Sequence, residues 1–281
     1  MGGRADRGTV LIRAPLSTTS VLDEMSDAVA LAAVPWAGVL VLTSLPYYLL
    51  QVLFLERLAE VGTAASHYGR ALGALANWTL LAFVVSLWGR AVWARACRIA
   101  TESGARPGLS ALRVPLVALA SYLLTASLTE VLFYGTLLTF IGPLVVILFG
   151  GIAIGTMELN DEVGVAGPLR LVARYSRHVR VELALLLIFI IAWLVALVNI
   201  GAAFSIGLWM ANGFASVDVS RWHLLLDLHN RTYRLLLFAG AALAVVPFWI
   251  AANVVLVRKS GAAQSGEELR SWFRELQGGA E

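Results

Sequence analysis

The sequence is short of charge and of cysteine. Only 14% of its 281 residues are Asp, Glu, Lys or Arg, whereas a soluble domain carries about 25%. The one cysteine, Cys97, excludes an internal disulfide and cannot by itself form a thiolate cage for a metal. We expect Cys97 to be a small buried residue. No polar stretch is long enough to fold as a separate soluble domain, so the sequence indicates a single membrane domain.

Patterns typical of catalysis are also missing from the sequence. It contains no glycine-rich phosphate loop ending in Gly-Lys-Ser or Gly-Lys-Thr, no His-Glu-x-x-His motif and no nucleophile elbow. The basic residues are mostly arginines at the edges of apolar runs, which favours lipid headgroups over nucleic acid. We therefore expect a protein that is not an enzyme, has no cofactor and has no nucleic-acid partner.

What the sequence has instead is long apolar runs. Hydrophobic residues make up 59% of the chain, in runs near the roughly 20 residues that cross a bilayer core. The predicted spans are residues 31–55, 71–93, 181–208 and 235–257, with two more between residues 112 and 157. That last run is too long for one crossing, so we predict a hairpin whose turn lies between Thr129 and Pro143.

The runs predict an all-α, polytopic membrane protein with about six transmembrane helices and short amphipathic interfacial helices. Sixteen of the 21 lysines and arginines lie in the N-terminal tail, the second and fourth loops and the C-terminal tail. Cytoplasmic segments carry such an excess, so we predict that both termini are cytoplasmic. The predicted organisation is a cytoplasmic tail (1–19), a six-helix membrane domain (20–260) and a cytoplasmic amphipathic tail helix (261–281).

Three short segments have the pattern of amphipathic helices at the cytoplasmic surface. Ser20 and Asp23 resemble a capping box that starts a helix over residues 20–29. Pro168 starts a second helix, whose predicted headgroup-contacting residues are Arg170, Arg174, Arg177 and Arg180. Ser265 caps a third, whose apolar stripe is predicted to bind a partner protein and comprises Leu269, Trp272, Phe273 and Leu276. The first two helices each lead into a long span, which indicates either an internal duplication or coincidence.

A small group of possible metal ligands lies before the last span. His223 and Asp227 are four residues apart and can share a helical face, as metal-binding pairs do, with His229 two residues further on. Their neighbours are mostly leucines, which favours a helix that packs on the outer leaflet over a metal site.

Three apolar segments carry charged residues or closely spaced glycines. Glu130 is the one carboxylate deep in a long apolar run, so it is either a functional intramembrane acid or, with the hairpin turn beside it, an outer-surface residue. Arg90 lies near the predicted end of the second span, from which its side chain can reach the headgroups. Gly151 and Gly155 form a GxxxG motif, which predicts close helix packing within the bundle or at a dimer face.

Residues in three parts of the chain carry a family resemblance. They are Pro15-Leu16 with Ser20-Val21-Leu22-Asp23, then Ile141-Gly142-Pro143 with Glu158, Leu169 and Tyr175-Ser176, and finally Arg258-Lys259 with Ser265-Gly266-Glu267-Glu268-Leu269. This pattern resembles the six-helix membrane domain found ahead of bacterial glycerophosphodiester phosphodiesterases and also as free-standing proteins. The resemblance covers most of the chain. It implies a fold in the bacterial cytoplasmic (inner) membrane and little about activity.

We expect a non-enzymatic integral membrane protein that acts as a scaffold, assembly factor or partner-binding subunit. Its expected partners are membrane lipids and another membrane or cytoplasmic protein. The alternative is a small-molecule transporter or permease component, because prolines inside the spans suit broken helices around a central site. A transporter should have a polar cavity at mid-membrane lined by Asn77, Asn199 or Asn253. A scaffold should have a filled core and an exposed apolar groove.

Overall fold

The computed structural model describes residues 16–61, 69–136, 139, 141–156, 179–215, 222 and 225–265. The elements bounded within these residues are all helical, which confirms the predicted all-α class. They are α1 (Thr18–Val61), α2 (Gly69–Ser103), a short 3₁₀ helix (Leu109–Leu112), α3 (Leu116–Thr136), α4 (Gly142–Gly155), α5 (Val179–Ala215) and α6 (Arg231–Ser265).

Five of these helices are long and apolar enough to cross a bilayer, which makes the chain a multi-pass membrane protein. The candidate spans are Trp36–Leu58, Leu72–Ser103, Leu116–Phe133, Arg180–Phe214 and Arg231–Gly261. The helix α4 is apolar but has only 14 residues, and is therefore about 21 Å long. That is shorter than the roughly 30 Å of a bilayer core. The described residues thus hold five full-length candidate spans where the sequence predicts six.

The first helix corrects the prediction of a separate interfacial helix over residues 20–29. These residues are the first turns of α1, which continues unbroken for 44 residues and is about 66 Å long. Pro35 and Pro46 lie inside α1 without ending it, as neighbouring helices allow in membrane proteins. Val21 and Ala28 are fully buried in the bundle, so this segment packs against protein.

The start of α1 also differs from the predicted capping box of Ser20 and Asp23. The hydroxyl of Ser17 accepts a hydrogen bond from the backbone N–H of Ser20 at 3.2 Å. The hydroxyl of Ser20 accepts one from the backbone N–H of Ser17, also at 3.2 Å. This is the reciprocal pattern of a capping box, three residues earlier than predicted, with Ser17 as the cap.

Contacts at the helix ends fix the relative directions of α1, α2 and α6. The ammonium of Lys259 donates to the carbonyl oxygen of Ser20, and Thr232 hydrogen-bonds Glu56, so α1 and α6 are antiparallel. The start of α1 and the end of α6 therefore meet at one end of the bundle. α1 and α2 are antiparallel as well, through the paired contacts Thr43 with Gly89 and Tyr47 with Phe83.

The other helices continue this alternation. α5 is antiparallel to α6, through Phe189 with Trp249 and Ile200 with Gly240. α4 runs parallel to α6 and antiparallel to α3, so each α-helix in the described chain reverses the direction of the one before it. α3 ends at Thr136 and α4 begins at Gly142, so the chain reverses between them, inside the window predicted from the sequence.

The apolar core has two parts. The larger part joins α1, α2, α3 and α6 through large buried side chains and includes Cys97, which is buried as predicted. The indole N–H of Trp36 donates to the carbonyl oxygen of Pro107 at 3.1 Å and holds the loop after α2 against α1. The smaller part joins the start of α1 to α5 and α6; its fully enclosed members include Val21, Leu185 and Val255.

The glycines of the GxxxG motif lie in the contact between α4 and α6. A β-carbon on Gly151 would lie 2.6 Å from the ring of Trp249, and one on Gly155 would lie 2.6 Å from the backbone oxygen of Asn253. The absence of a side chain at both positions lets the two helices approach closely. The motif is used within the bundle.

Replacing Gly155 by valine should destabilise the protein by about 1–3 kcal/mol, since the new side chain meets α6 backbone that cannot move aside. Gly207→Val is the matched control, because a β-carbon there has no neighbour within 4 Å. Thermal unfolding in detergent measures the difference. Equal melting temperatures for the two variants would contradict the α4–α6 packing.

Candidate functional site

Five polar side chains form a cluster between α1, α2 and α3, which we call the Arg90 cluster. Its members are Tyr47, Tyr48, Arg90, Tyr122 and Glu130. Arg90 donates from Nη2 to the hydroxyl of Tyr48 at 3.4 Å and hydrogen-bonds the side chain of Tyr122. Tyr47 hydrogen-bonds the carboxylate of Glu130, which Arg90 also attracts electrostatically. A cation, a carboxylate and three phenols therefore lie together, and within the described residues the buried Nε of Arg90 has no hydrogen-bond partner.

Tyr47 and Arg90 lie near the middle of their candidate spans, while Glu130 lies three residues before the end of Leu116–Phe133. Tyr47 is eleven residues from each end of the candidate span Trp36–Leu58, or about 17 Å. Tyr47 and Tyr122 are only 5% and 4% exposed. A charged arginine at the centre of a span costs about 2.5–3.5 kcal/mol on insertion scales. The tyrosines and Glu130 offset this cost by giving the guanidinium hydrogen bonds and an opposite charge.

The position of Arg90 corrects the prediction that it reaches the headgroups from the end of a span. The predicted span ended at residue 93, but α2 continues to Ser103, so Arg90 lies about 20 Å before that end. Arg98 pairs with Glu102 at 2.8 Å, four residues along the same helix, which favours continued helix. The basic residues after residue 93 are typical of a loop, so the sequence predicted a shorter helix.

Glu130 is half-buried in the last two turns of α3, facing the cluster. The turn that follows α3 starts only after Thr136. Glu130 also lies only three residues before the end of the candidate span Leu116–Phe133, so both readings from the sequence remain predictions.

Close approach of α1 and α2 brings the tyrosines within reach of Arg90. A β-carbon on Gly89 would lie 1.8 Å from the hydroxyl oxygen of Thr43, so only glycine fits there. The Thr43 hydroxyl donates to the carbonyl oxygen of Val39 at 2.8 Å, within its own helix. Gly89 directly precedes Arg90, and Thr43 is about one turn before Tyr47 and Tyr48 on α1.

An apolar groove of about 310 Å³ lies between α1, α5 and α6. We call it the α1–α5–α6 groove. Its lining is Leu45, Tyr48, Leu49, Ile200, Phe204, Leu226, Tyr233, Leu236, Leu237, Ala239, Gly240 and Leu243. Tyr48 belongs to both features: its ring lines the groove while its hydroxyl accepts the hydrogen bond from Arg90.

The three asparagines that would line a transporter cavity do not line this groove. Asn77 and Asn199 are exposed on the apolar surface, and the Asn199 amide donates to the carbonyl oxygen of Val195 on its own helix at 2.9 Å. Asn253 is buried and donates to the carbonyl oxygen of Trp249 at 2.8 Å.

A second polar group, which we call the Glu24 cluster, joins the start of α1 to the end of α6. Its members are Ser20, Glu24, Arg258 and Lys259. The carboxylate of Glu24 pairs with Arg258 and, at 3.1 Å, with Lys259, which is only 5% exposed. Ser20, Arg258 and Lys259 belong to the opening and closing parts of the family pattern, yet the contacts of the cluster span more than 230 positions and have no local signal in the sequence.

The candidate metal ligands form a local turn instead. An oxygen of Asp227 accepts the backbone N–H of His229 at 2.9 Å, and the ring nitrogen Nδ1 lies at the same distance. These hydrogen bonds, the backbone one first, lower the pKa of the exposed Asp227 carboxyl. His223 lies outside the described residues. Within the residues that are described, no three His, Cys, Asp or Glu side chains come together as a metal site.

Most of the predicted interfacial residues also lie outside the described part of the chain. For the basic helix these are Arg170, Arg174 and Arg177, while Arg180 is exposed in the first turn of α5. For the tail stripe they are Leu269, Trp272, Phe273 and Leu276. Both segments remain predictions.

Comparison of the chain with protein-family models, with curated proteins and with solved structures gives no match. The resemblance to the six-helix membrane domain therefore also remains a prediction.

The Arg90 cluster predicts strong energetic coupling between Arg90 and Glu130. In a double-mutant cycle with Arg90→Met and Glu130→Gln, we expect a coupling of about 1–3 kcal/mol, because each single change leaves a buried charge without its opposite. The measurement is thermal unfolding in detergent.

The control for that cycle is Arg98→Met with Glu102→Gln, an exposed ion pair on α2. Its coupling should be about 0.3–0.5 kcal/mol. Equal coupling in the two cycles would show that Arg90 and Glu130 are as well solvated as a surface pair.

Proposed function

We propose that the chain is a non-enzymatic integral membrane protein that acts as a scaffold, assembly factor or partner-binding subunit. The observation that supports this proposal is that the polar groups of the Arg90 cluster point toward one another. They bond to one another and tie α1, α2 and α3 together. The groove on the other side of α1 is lined by apolar side chains. A tied bundle with an apolar groove suits a binding role.

The proposed topology is six membrane passes with both termini in the bacterial cytoplasm, at the inner membrane. The Glu24 cluster supports it, because this contact joins the start of α1 to the end of α6. With Arg90 removed from the count as an intramembrane residue, 15 basic residues still lie on the proposed cytoplasmic side against 5 on the other. The short helix α4 can pass where the bilayer thins locally.

The proposed partner site is the tail stripe after α6. The segment 265–277 carries at least as many acidic as basic residues, so attraction to anionic lipid alone is a poor explanation for its apolar stripe. An amphipathic helix that packs in a groove of another protein uses this spacing of apolar residues. Membrane lipids remain the proposed partners of the basic segment 168–180. We also propose that the chain belongs with the six-helix membrane domains that its sequence resembles.

A transporter or permease component is the alternative function, and the Arg90 cluster favours it, since ionisable residues within spans often mark ion or substrate pathways. That function requires water at the cluster. The asparagines that a polar mid-membrane cavity would need do not line the groove, and this favours the scaffold over the transporter.

The topology predicts which single cysteines react with a membrane-impermeant maleimide in intact cells. In a Cys97→Ser background, cysteines at Gly3 and Ala280 should react only after permeabilisation. His229→Cys should react in intact cells, because that side chain is exposed between α5 and α6. Reaction at Gly3 or Ala280 before permeabilisation would refute the proposed orientation.

The partner site predicts that Trp272→Ser with Phe273→Ser removes a stoichiometric protein that co-purifies in mild detergent. Arg270→Gln, a change off the stripe, is the control and should retain that protein. Thermal unfolding of both variants tests whether the membrane domain stays folded. A partner that remains bound to the double variant would contradict the proposed partner site. Loss of stability without loss of a partner would indicate that the tail packs against its own membrane domain.

A further inference from the structure

The chain folds back beside α2 before it enters α3. Gly104 has a φ of 62°, a left-handed conformation that suits glycine, and its backbone N–H donates to the carbonyl oxygen of Ala100 at 2.9 Å. This cap ends α2. The Nε of Arg95 then donates to the carbonyl oxygen of Ser110 at 3.2 Å. Arg95 lies eight residues before the last residue of α2, Ser103, so the chain returns about 12 Å along the helix. We call residues 104–115 the return segment.

The return segment lies beside the membrane spans and not beyond their ends. Arg95, which holds Ser110, is inside the candidate span of α2. The indole N–H of Trp36, the first residue of the candidate span in α1, donates to the carbonyl oxygen of Pro107. Leu116 follows the segment directly and begins the candidate span of α3. Three spans thus place the segment at the boundary of the hydrocarbon, the level of the lipid headgroups.

Large apolar side chains are exposed at this level. Leu109 is 77% exposed, and Leu112 at the end of the 3₁₀ helix is exposed as well. Leu116 is 82% exposed and leads into the exposed face of α3, which continues through Leu124 and Val131. That face belongs to a candidate span, and lipid chains surround such a surface in a bilayer. The leucines of the return segment therefore continue a surface that contacts lipid.

The charge of the return segment suits anionic lipid. Arg106 and Arg113 are both exposed and lie on either side of the leucines in sequence. The segment contains no Asp or Glu, and Glu102, just before it, pairs with Arg98. Anionic headgroups attract arginines near the membrane surface, and a guanidinium can hold two oxygens of one phosphate. Leucines between arginines are typical of a segment that lies in the membrane interface.

We propose that the return segment is a binding surface for anionic lipid. Leu109 and Leu112 insert into the leaflet at that end of the bundle, and Arg106 and Arg113 bind lipid phosphates. This inference goes beyond a scaffold function. It depends neither on the tail stripe nor on which end of the bundle is cytoplasmic, so it and the proposed function can fail separately.

A nitroxide label shows where the side chain at position 109 lies. The variants are Leu109→Cys and, as the control at the exposed end of α2, Ser103→Cys, both in a Cys97→Ser background. Both positions are exposed, so the labels displace no packed side chain. In phosphatidylglycerol nanodiscs, electron paramagnetic resonance compares relaxation by oxygen, which dissolves in the bilayer, with relaxation by a water-soluble nickel complex.

We expect oxygen to dominate at position 109 and nickel at position 103. Nickel access at position 109 equal to that at position 103 would overturn the insertion. Shielding of position 109 from both reagents would also overturn it, because protein and not lipid would then cover the leucine.

A second experiment tests the arginines. Arg106→Gln with Arg113→Gln removes both charges, and Arg106→Lys with Arg113→Lys is the matched control that keeps them. Native mass spectrometry counts the lipids that stay bound after release from nanodiscs of equal phosphatidylglycerol and phosphatidylcholine. Because each guanidinium can hold one phosphate, we expect the Gln variant to lose about two phosphatidylglycerols and the Lys variant to retain them. Equal phosphatidylglycerol on the wild type and the Gln variant would overturn the headgroup contact.

Discussion

An arginine side chain inside a membrane span needs a nearby opposite charge and hydrogen-bond acceptors. Arg90 of α2 obtains them from α1 and α3. Its partners come from two other helices: tyrosines of α1, and Tyr122 with Glu130 of α3. Each helix alone would carry a polar group that hydrocarbon cannot solvate. Together they give one another hydrogen bonds and an opposite charge, so this half of the bundle is held in one register by polar contacts as well as by packing.

Among the described residues, the other half of the bundle is held mainly by apolar packing. α4 meets α6 through glycines, and α5 meets α6 through aromatic pairs: Trp193 stacks on Phe238, and Phe189 meets Trp249 edge to face. Packing of this kind leaves a groove wherever the side chains do not fill the space between helices. The groove lies where the two halves meet, with Tyr48 on the wall between them.

The fold class was predictable because apolar runs of about 20 residues are stable in a membrane mainly as helices. The reversal between α3 and α4 was predictable because the apolar run from residue 112 to residue 157 is too long for one crossing. The helix ends were not, since the arginines after residue 93 and the two prolines of α1 read as interruptions. In the structure α2 and α1 continue through them. The Arg90 cluster was missed for the same reason. Glu130 and Arg90 each stood out in an apolar run, but nothing in the sequence showed that they are partners.

The contacts of the Glu24 cluster could not be predicted from the sequence, although some of its residues were noted there. Ser20 and Lys259 stood out in two separate parts of the chain, as pieces of a family pattern. The structure joins them, with Lys259 donating to the backbone of Ser20 and pairing with Glu24. A buried ammonium needs such partners, and only the return of α6 beside α1 supplies them. Ion pairs therefore hold the described bundle at one end, and the contacts of Arg90 hold α1, α2 and α3 together further along.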